Sequence, residues 1–155
     1  MSQTLTIIKS RPNKTIGSAH KLDAGIDIFT PSDMKRVKLR PGHGIILPLG
    51  IKFDLPKGTM MFICNRTGVS TKEGIIASAQ VVDEGFTGEL SLGVRNISNK
   101  SVWIEPDTRY TQGVIFNYLK PNIKIVEETK EKPYKFAKYK LNDRGAGKFG
   151  STGKK

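Results

Sequence analysis

Near its C-terminus the chain carries Arg144-Gly145-Ala146-Gly147-Lys148-Phe149-Gly150-Ser151-Thr152-Gly153. A guanidinium, four glycines and two hydroxyls in one short stretch are the parts of a phosphate cradle. Arginine offers paired charged donors, glycine lets backbone N–H groups approach closely, and hydroxyls fill the remaining acceptor sites. The stretch is not a Walker loop, because Ser151 stands where that loop requires lysine and too few residues follow for its helix. A glycine-rich, basic end is by itself usually solvated chain. Phe149 argues otherwise, since an aromatic among glycines is out of place unless it stacks on something.

A carboxylate beside such a cradle would make a hydrolytic site. The segment from Val81 to Glu89 reads as a strand, a tight turn and a returning strand, with Asp83 at the mouth. Taken alone, an aspartate there is best explained as bonding its own turn. Next to a bound polyphosphate it can instead act as a general base that orients and deprotonates water for in-line attack, and Phe86 can offer its face to a sugar. Two weaker constellations accompany it. Asp23-Ala24-Gly25-Ile26-Asp27 places a carboxylate after a glycine at a strand start, suited to a hydrated Mg2+ or merely to a turn. Asn65-Arg66-Thr67-Gly68 groups cation, hydroxyl and unhindered backbone N–H, as phosphate recognition wants. Arg109 and Gln112 read either as an exposed strand pair or as further phosphate contacts.

These residues need a rigid frame, and 155 residues allow one domain with a genuine core. From Leu5 to Val126 the sequence breaks into short apolar or alternating runs separated by turn formers such as Pro41-Gly42, Pro56-Lys57-Gly58, Glu105-Pro106-Asp107 and Pro121-Asn122. That pattern predicts an all-β sandwich, jelly roll or barrel. Strands are expected at 44–55, 74–82 and 122–126 among others, with at most a helical turn near Ser70–Glu73. A β domain over 1–128 is followed by an arm over 129–155, lysine-rich and then glycine-rich, with too few aliphatics for a core. Tyr134, Phe136, Tyr139 and Leu141 suit an arm pinned onto a neighbouring surface.

The inventory also excludes. One cysteine, Cys64, and two histidines, His20 and His43, cannot supply an internal disulfide or zinc-ligand spacing, which rules out a zinc-dependent deaminase. No apolar run is long enough to cross a bilayer and no secretory signal is visible, so a cytoplasmic location is expected. The formal net charge of +12 implies attraction to polyanions, whether nucleic acid or a multiply charged phosphate substrate. Seven of those excess charges fall between Lys120 and Lys155.

Taken in order, the segments 20–29, 65–75, 81–90, 107–112 and 144–153 resemble the five motifs of the homotrimeric dUTP pyrophosphatases (dUTPases), phage and bacterial members being closest in length. The resemblance implies a jelly-roll subunit in a homotrimer with a swapped C-terminal arm, each site shared by three chains. It implies hydrolysis of dUTP to dUMP and pyrophosphate, which keeps uracil out of DNA and supplies dUMP for dTMP synthesis. By the same resemblance Asp83 activates the water that attacks the α-phosphorus, and Phe86 is the sugar platform that leaves no space for a 2′-hydroxyl. The backbone around Ala79, Gln80 and Val81 reads uracil. Arg66, Thr67, Gly68 and Gln112 hold phosphates, and Asp27 meets the water shell of a mainly phosphate-bound Mg2+. Arg144 reaches the γ-phosphate, Phe149 covers the uracil, and Gly150, Ser151 and Thr152 complete the lid.

The chain departs from the family pattern at three places. That pattern has Pro-Arg-Ser-Gly at Asn65–Gly68, tyrosine at Phe86 and Gly-Asp-Arg at Asp107-Thr108-Arg109. Related dCTP deaminases are the sharpest alternative, but they need a glutamate where Gly93 falls and an arginine where Thr71 falls. A second alternative is a nucleic-acid or protein-binding module using the positive field. A regulatory protein partner is an option if the chain is phage-encoded, though no residue identifies one; no membrane partner is expected, and nucleic-acid binding is expected to be no more than non-specific attraction.

Overall fold

A computed structural model of the chain describes residues 4–14, 16–132 and 134. Among these, Asp27 through Gln112 are placed by eleven strands and one short helix. The strands are β1 Thr6–Lys9, β2 Ile26–Phe29, β3 Val37–Leu39, β4 Gly44–Pro48, β5 Ile51–Asp54, β6 Thr59–Asn65, β7 Ile75–Ala77, β8 Val81–Val82, β9 Ser91–Asn96, β10 Val102–Ile104 and β11 Arg109–Asn117. The helix, α1, spans Thr67–Lys72. The expected all-β jelly roll is the observed fold class. No helix among the described residues is long and apolar enough to cross a membrane.

The largest sheet runs β2-β11-β6-β8, and a second runs β4-β9-β7. Two further antiparallel pairs, β1 with β5 and β3 with β10, complete the set. Alternation explains the strands. Thr59, Met61 and Ile63 of β6 are buried while Met60, Phe62 and Cys64 are half-buried, and β5 buries Ile51 and Phe53 while exposing Lys52 and Asp54. A period of two presents one face to the core. Ile28, Leu49, Ile51, Met61, Ile75, Leu92, Val94 and Ile104 are fully buried there, each aliphatic contributing about 1.5–3 kcal/mol on burial.

Three expectations are corrected. The apolar run at 74–82 is not one strand: β7 pairs with β9 while β8 pairs with β6, so Ser78-Ala79-Gln80 crosses from one sheet to the other. The helical segment begins earlier than expected, at Thr67, with Arg66 in extended conformation at its N-cap. The run at 122–126 forms no strand, and Ile123 and Ile125 are each 87% exposed, because no strand of the described chain pairs with them. The chain divides into two compact units, Met1–Leu119 and Lys120–Lys155. In the second, Thr129 and Lys132 exchange backbone hydrogen bonds around a tight turn, and the Tyr134 N–H donates to Glu128 Oε1.

Candidate active site

Most of the predicted residues of the first unit gather into two clefts. The first, of about 490 Å3, is lined by Arg66, Thr67, Gly68 and Gln112 together with Lys72 and Glu73. Its position follows from β6, which ends at Asn65 and runs directly into α1. Thr67 and Gly68 therefore sit in the first turn of a helix, where backbone N–H groups have no partner within the helix. Gln112 comes from β11, opposite Cys64 of β6, and its Nε2 donates to Asn65 O at 3.3 Å. Gly25 makes room for this carboxamide, since a Cβ there would lie 2.2 Å from Gln112 Oε1. Sequence reasoning missed Lys72. It stands four residues after Gly68 and so on the same helical face, a signal that needs the helix to be read first.

Behind this cleft lies an ion-pair cluster. Asp27 in β2 is only 6% exposed. Its Oδ1 lies 3.0 Å from Arg66 Nε, and its Oδ2 accepts from Arg109 Nη1 at 2.6 Å. Arg66 also donates from Nη1 to the Arg109 carbonyl at 3.1 Å. One buried carboxylate thus orients two guanidinium groups, of which that of Arg66 lines the cleft. Both of its oxygens face arginines, whose charge offsets the desolvation of the carboxylate.

The second cleft, of about 240 Å3, is lined by Ala79, Val81, Asp83 and Phe86, with Glu89 and Ser91. The turn after β8 closes through its backbone, the Phe86 N–H donating to Asp83 O at 3.0 Å. The Asp83 side chain is not used for this turn and is exposed. Glu84 anchors the hairpin from outside: its Oε2 accepts from the Gly58 N–H and from the Tyr118 hydroxyl, both at 2.8 Å. That bond to Glu84 raises the Tyr118 phenol above its ordinary value of 10.0. Phe86, 44% exposed, lays its ring over Gly88, where a Cβ would come within 2.8 Å of Cζ. The Gln80 carbonyl accepts from the Ile63 N–H at 2.6 Å, and Ala79 and Val81 are the residues of that trio that line the cleft. Glu89 was not anticipated; its Oε1 accepts from the Gly50 N–H at 2.8 Å, tying the returning chain to the β4–β5 turn. Arg144, Phe149, Gly150, Ser151 and Thr152 lie outside the described residues.

A cationic cleft with helix-start N–H groups suits a phosphate, and an unengaged carboxylate beside an aromatic face suits water activation next to a sugar. The family model described as dUTPase matches residues 12–153. The chain belongs to the dUTPase family. Among curated relatives, the deoxyuridine 5′-triphosphate nucleotidohydrolase of Clostridium tetani is 32% identical over 138 residues, covering 88% of this chain and 86% of that one. The protein of the same name from Candida glabrata is 35% identical over 131 residues, covering 84% and 83%. Among solved structures, the Staphylococcus bacteriophage 80alpha dUTPase with dUpNHpp gives a TM-score of 0.80 at 24% identity, covering 98% of this chain and 99% of that one. A mutant dUTPase from phage phi11 of S. aureus, described as coordinating a structural Mg(II) ion, gives 0.70 at 22% identity over 81% and 97%. At these identities the likeness to the solved structures is one of fold.

Within the dUTPase frame, two departures acquire physical reasons. Asp107 stands where the family pattern has glycine, and its φ is +52°, in the left-handed region that aspartate tolerates better than most residues. Its Oδ1 accepts from Ser32 Oγ at 2.6 Å, a bond glycine could not make. Thr108 is held reciprocally by Thr30: the Thr30 N–H donates to Thr108 O, and the Thr108 N–H donates to Thr30 Oγ1, each at 3.0 Å. Arg109 is thereby delivered to Asp27. At Gly93, where the deaminase reading needs glutamate, a Cβ would lie 2.5 Å from Ser78 Oγ, so the backbone is packed for the absence of a side chain.

Proposed function

We propose that the protein is a dUTP diphosphatase, hydrolysing dUTP to dUMP and pyrophosphate by water attack on the α-phosphorus. The observation that carries this reading is the exposed Asp83 carboxylate, which lines one concave cleft with Phe86, Ala79 and Val81. Asp83 takes the proton of the attacking water. Phe86 supports the deoxyribose and rejects a 2′-hydroxyl, while the backbone at Ala79, Gln80 and Val81 discriminates uracil from cytosine. A reversed donor would leave polar groups unpaired there. Arg66, Thr67, Gly68 and Gln112 neutralise and position phosphates.

The two clefts of one chain carry complementary halves of this chemistry. That division supports a homotrimer in which neighbouring copies complete each site, with the core at 1–128 and the arm at 129–155. The exposed, alternating Ile123 and Ile125 support an arm that finds its apolar partners on another copy. Arg144, Phe149, Gly150, Ser151 and Thr152 would close over the bound nucleotide.

Among the described residues no group of three or more His, Cys, Asp or Glu is placed to hold a metal, and Asp27 is neutralised by two arginines. This donor set does not fit a resident Mg2+ cage, which wants several hard oxygens. It fits Mg2+ arriving on the triphosphate as part of the substrate, where Asp27, whose oxygens keep acceptor capacity beyond the two arginines, would meet the ion's water shell. The decisive experiment measures pyrophosphate release from dUTP, dTTP, dCTP and UTP for the intact chain, Asp83→Asn and a chain ending before Arg144. Selective dUTP hydrolysis, abolished by the first change and severely reduced by the second, is expected. Formation of dUMP from dCTP as readily as from dUTP would overturn the assignment.

A further inference from the structure

The β3–β10 pair carries a cationic, aromatic face that neither cleft uses. On β3 and its flanks the exposed positions are Arg36, Lys38 and Arg40, alternating with half-buried Val37 and buried Leu39. At about 3.3 Å per residue the three cations stand about 6.6 Å apart in a row. Across the pair, Trp103 lies directly opposite Lys38. Its indole is 41% exposed, with the Arg36 guanidinium 4.4 Å and Lys38 Nζ 5.9 Å from the ring centroid. Among the described residues Arg36, Lys38 and Arg40 make no ion pair; the ion-paired cations are Arg11, Arg66 and Arg109. Glu105, two residues beyond Trp103 on the same side by alternation, is half-buried and makes no ion pair either. Beside the row, Lys38, Arg40 and His43 border a cleft of about 320 Å3.

We propose that this face binds single-stranded nucleic acid, with Trp103 and Arg36 as a stacking platform and Lys38 and Arg40 as phosphate contacts. A row of unpaired cations is complementary to any polyanion. What selects the class is the tryptophan: an aromatic stacked on a guanidinium presents a π surface to an unpaired base, and every base has a matching face. A duplex conceals its bases from such a platform. An acidic peptide would use the cations and leave the indole without a partner. Binding is therefore sequence-tolerant and salt-dependent, with a log–log salt slope of about −1.4 if Lys38 and Arg40 each neutralise one phosphate.

Trp103 is the chain's single tryptophan, so its emission reports on this face. The full-length protein is titrated with an oligothymidylate of about 12 nucleotides, with the corresponding duplex and with oligoglutamate of equal charge. Saturable quenching by the single strand is expected, at least about tenfold tighter than for the other two. Labelled-oligonucleotide anisotropy should show the affinity falling about tenfold or more in Lys38→Glu/Arg40→Glu and in Trp103→Ala. Trp103→Phe should retain much of it, and dUTP turnover should be unchanged in all three variants, which also reports their folding. Absence of quenching, affinity preserved in the charge-reversed variant, or equal binding of duplex or oligoglutamate would each overturn the proposal.

Discussion

Arg109 Nη1 donates to Asp27 Oδ2 at 2.6 Å, across 82 residues of sequence, while Arg66 takes the other oxygen at 3.0 Å. Because Asp27 is nearly buried, this cluster differs in kind from the surface pair Arg11–Asp33 at 2.7 Å, whose side chains are 30% and 45% exposed. Asp27→Asn removes the charge that two guanidinium groups face. The expected loss is about 2–3 kcal/mol, below the full cost of a buried pair because both arginines are partly solvated. Asp33→Asn should cost under about 1 kcal/mol. Urea midpoints of the two variants test the contrast, and a KM for dUTP that rises only in Asp27→Asn would place the cluster at the phosphate cleft.

Gly88 sets the position of Phe86. Alanine at 88 would bring its Cβ to 2.8 Å from the ring's Cζ and 2.9 Å from Cε2, so the ring must swing outward while the turn backbone stays. If Phe86 is the sugar platform, Gly88→Ala should lower the ratio of kcat/KM for dUTP over UTP by about fivefold to tenfold, with a stability change under about 1 kcal/mol. An unaltered ratio would mean that the ring does not contact the sugar.

The strands were legible because β5 and β6 alternate buried and solvated residues with period two, a signal local to each segment. The sheet crossing at Ser78-Ala79-Gln80 was not, since Gln80 alone interrupts an otherwise apolar or small run at 74–82 and which sheet each half joins depends on distant partners. Helix α1 has six residues, too few for a 3.6-residue period to declare itself. Among the candidate residues, Arg66, Thr67, Gly68 and Gln112 do converge on one cleft. The Asp27 cluster escaped notice because its members are brought together by β2 pairing with β11, and spacing along the chain carries no record of that. The departure at Asp107 is a consequence of its positive φ and its bond from Ser32, neither of which is written in the local sequence.

Alkaline stability follows from two phenols. Burial raises Tyr110 above 10.0, and the hydrogen bond to Glu84 raises Tyr118. A folded-state value above the unfolded one means that folding favours the protonated phenol. The contribution is therefore complete below about pH 10 and is lost as pH rises through the folded-state values. The thermal midpoint should therefore fall above about pH 10, and Tyr118→Phe should make that fall shallower. Absorbance of ionised phenolate should show at least two tyrosines titrating late. Simultaneous titration of all tyrosines at the unperturbed value would contradict it.

Asn96 separates stability from chemistry. It is fully buried at the end of β9. Its Nδ2 donates to Leu39 O at 3.0 Å and to Lys100 O at 2.8 Å, and its Oδ1 accepts from the Ser98 N–H at 2.9 Å and Oγ at 2.7 Å. The side chain therefore closes the β9–β10 turn and fastens it to β3, and none of these residues lines either candidate cleft. Asn96→Ala leaves buried backbone groups without partners and should cost about 3–4 kcal/mol. Asn96→Asp should cost more, because a carboxylate would face two carbonyl oxygens in place of the amide N–H groups. Denaturant midpoints should drop in that order, while kcat/KM for dUTP, measured where each variant is fully folded, stays at the parent value. A fall in kcat/KM for the folded Asn96→Ala protein would show that the β9–β10 turn communicates with the site, which the separation of the two networks argues against.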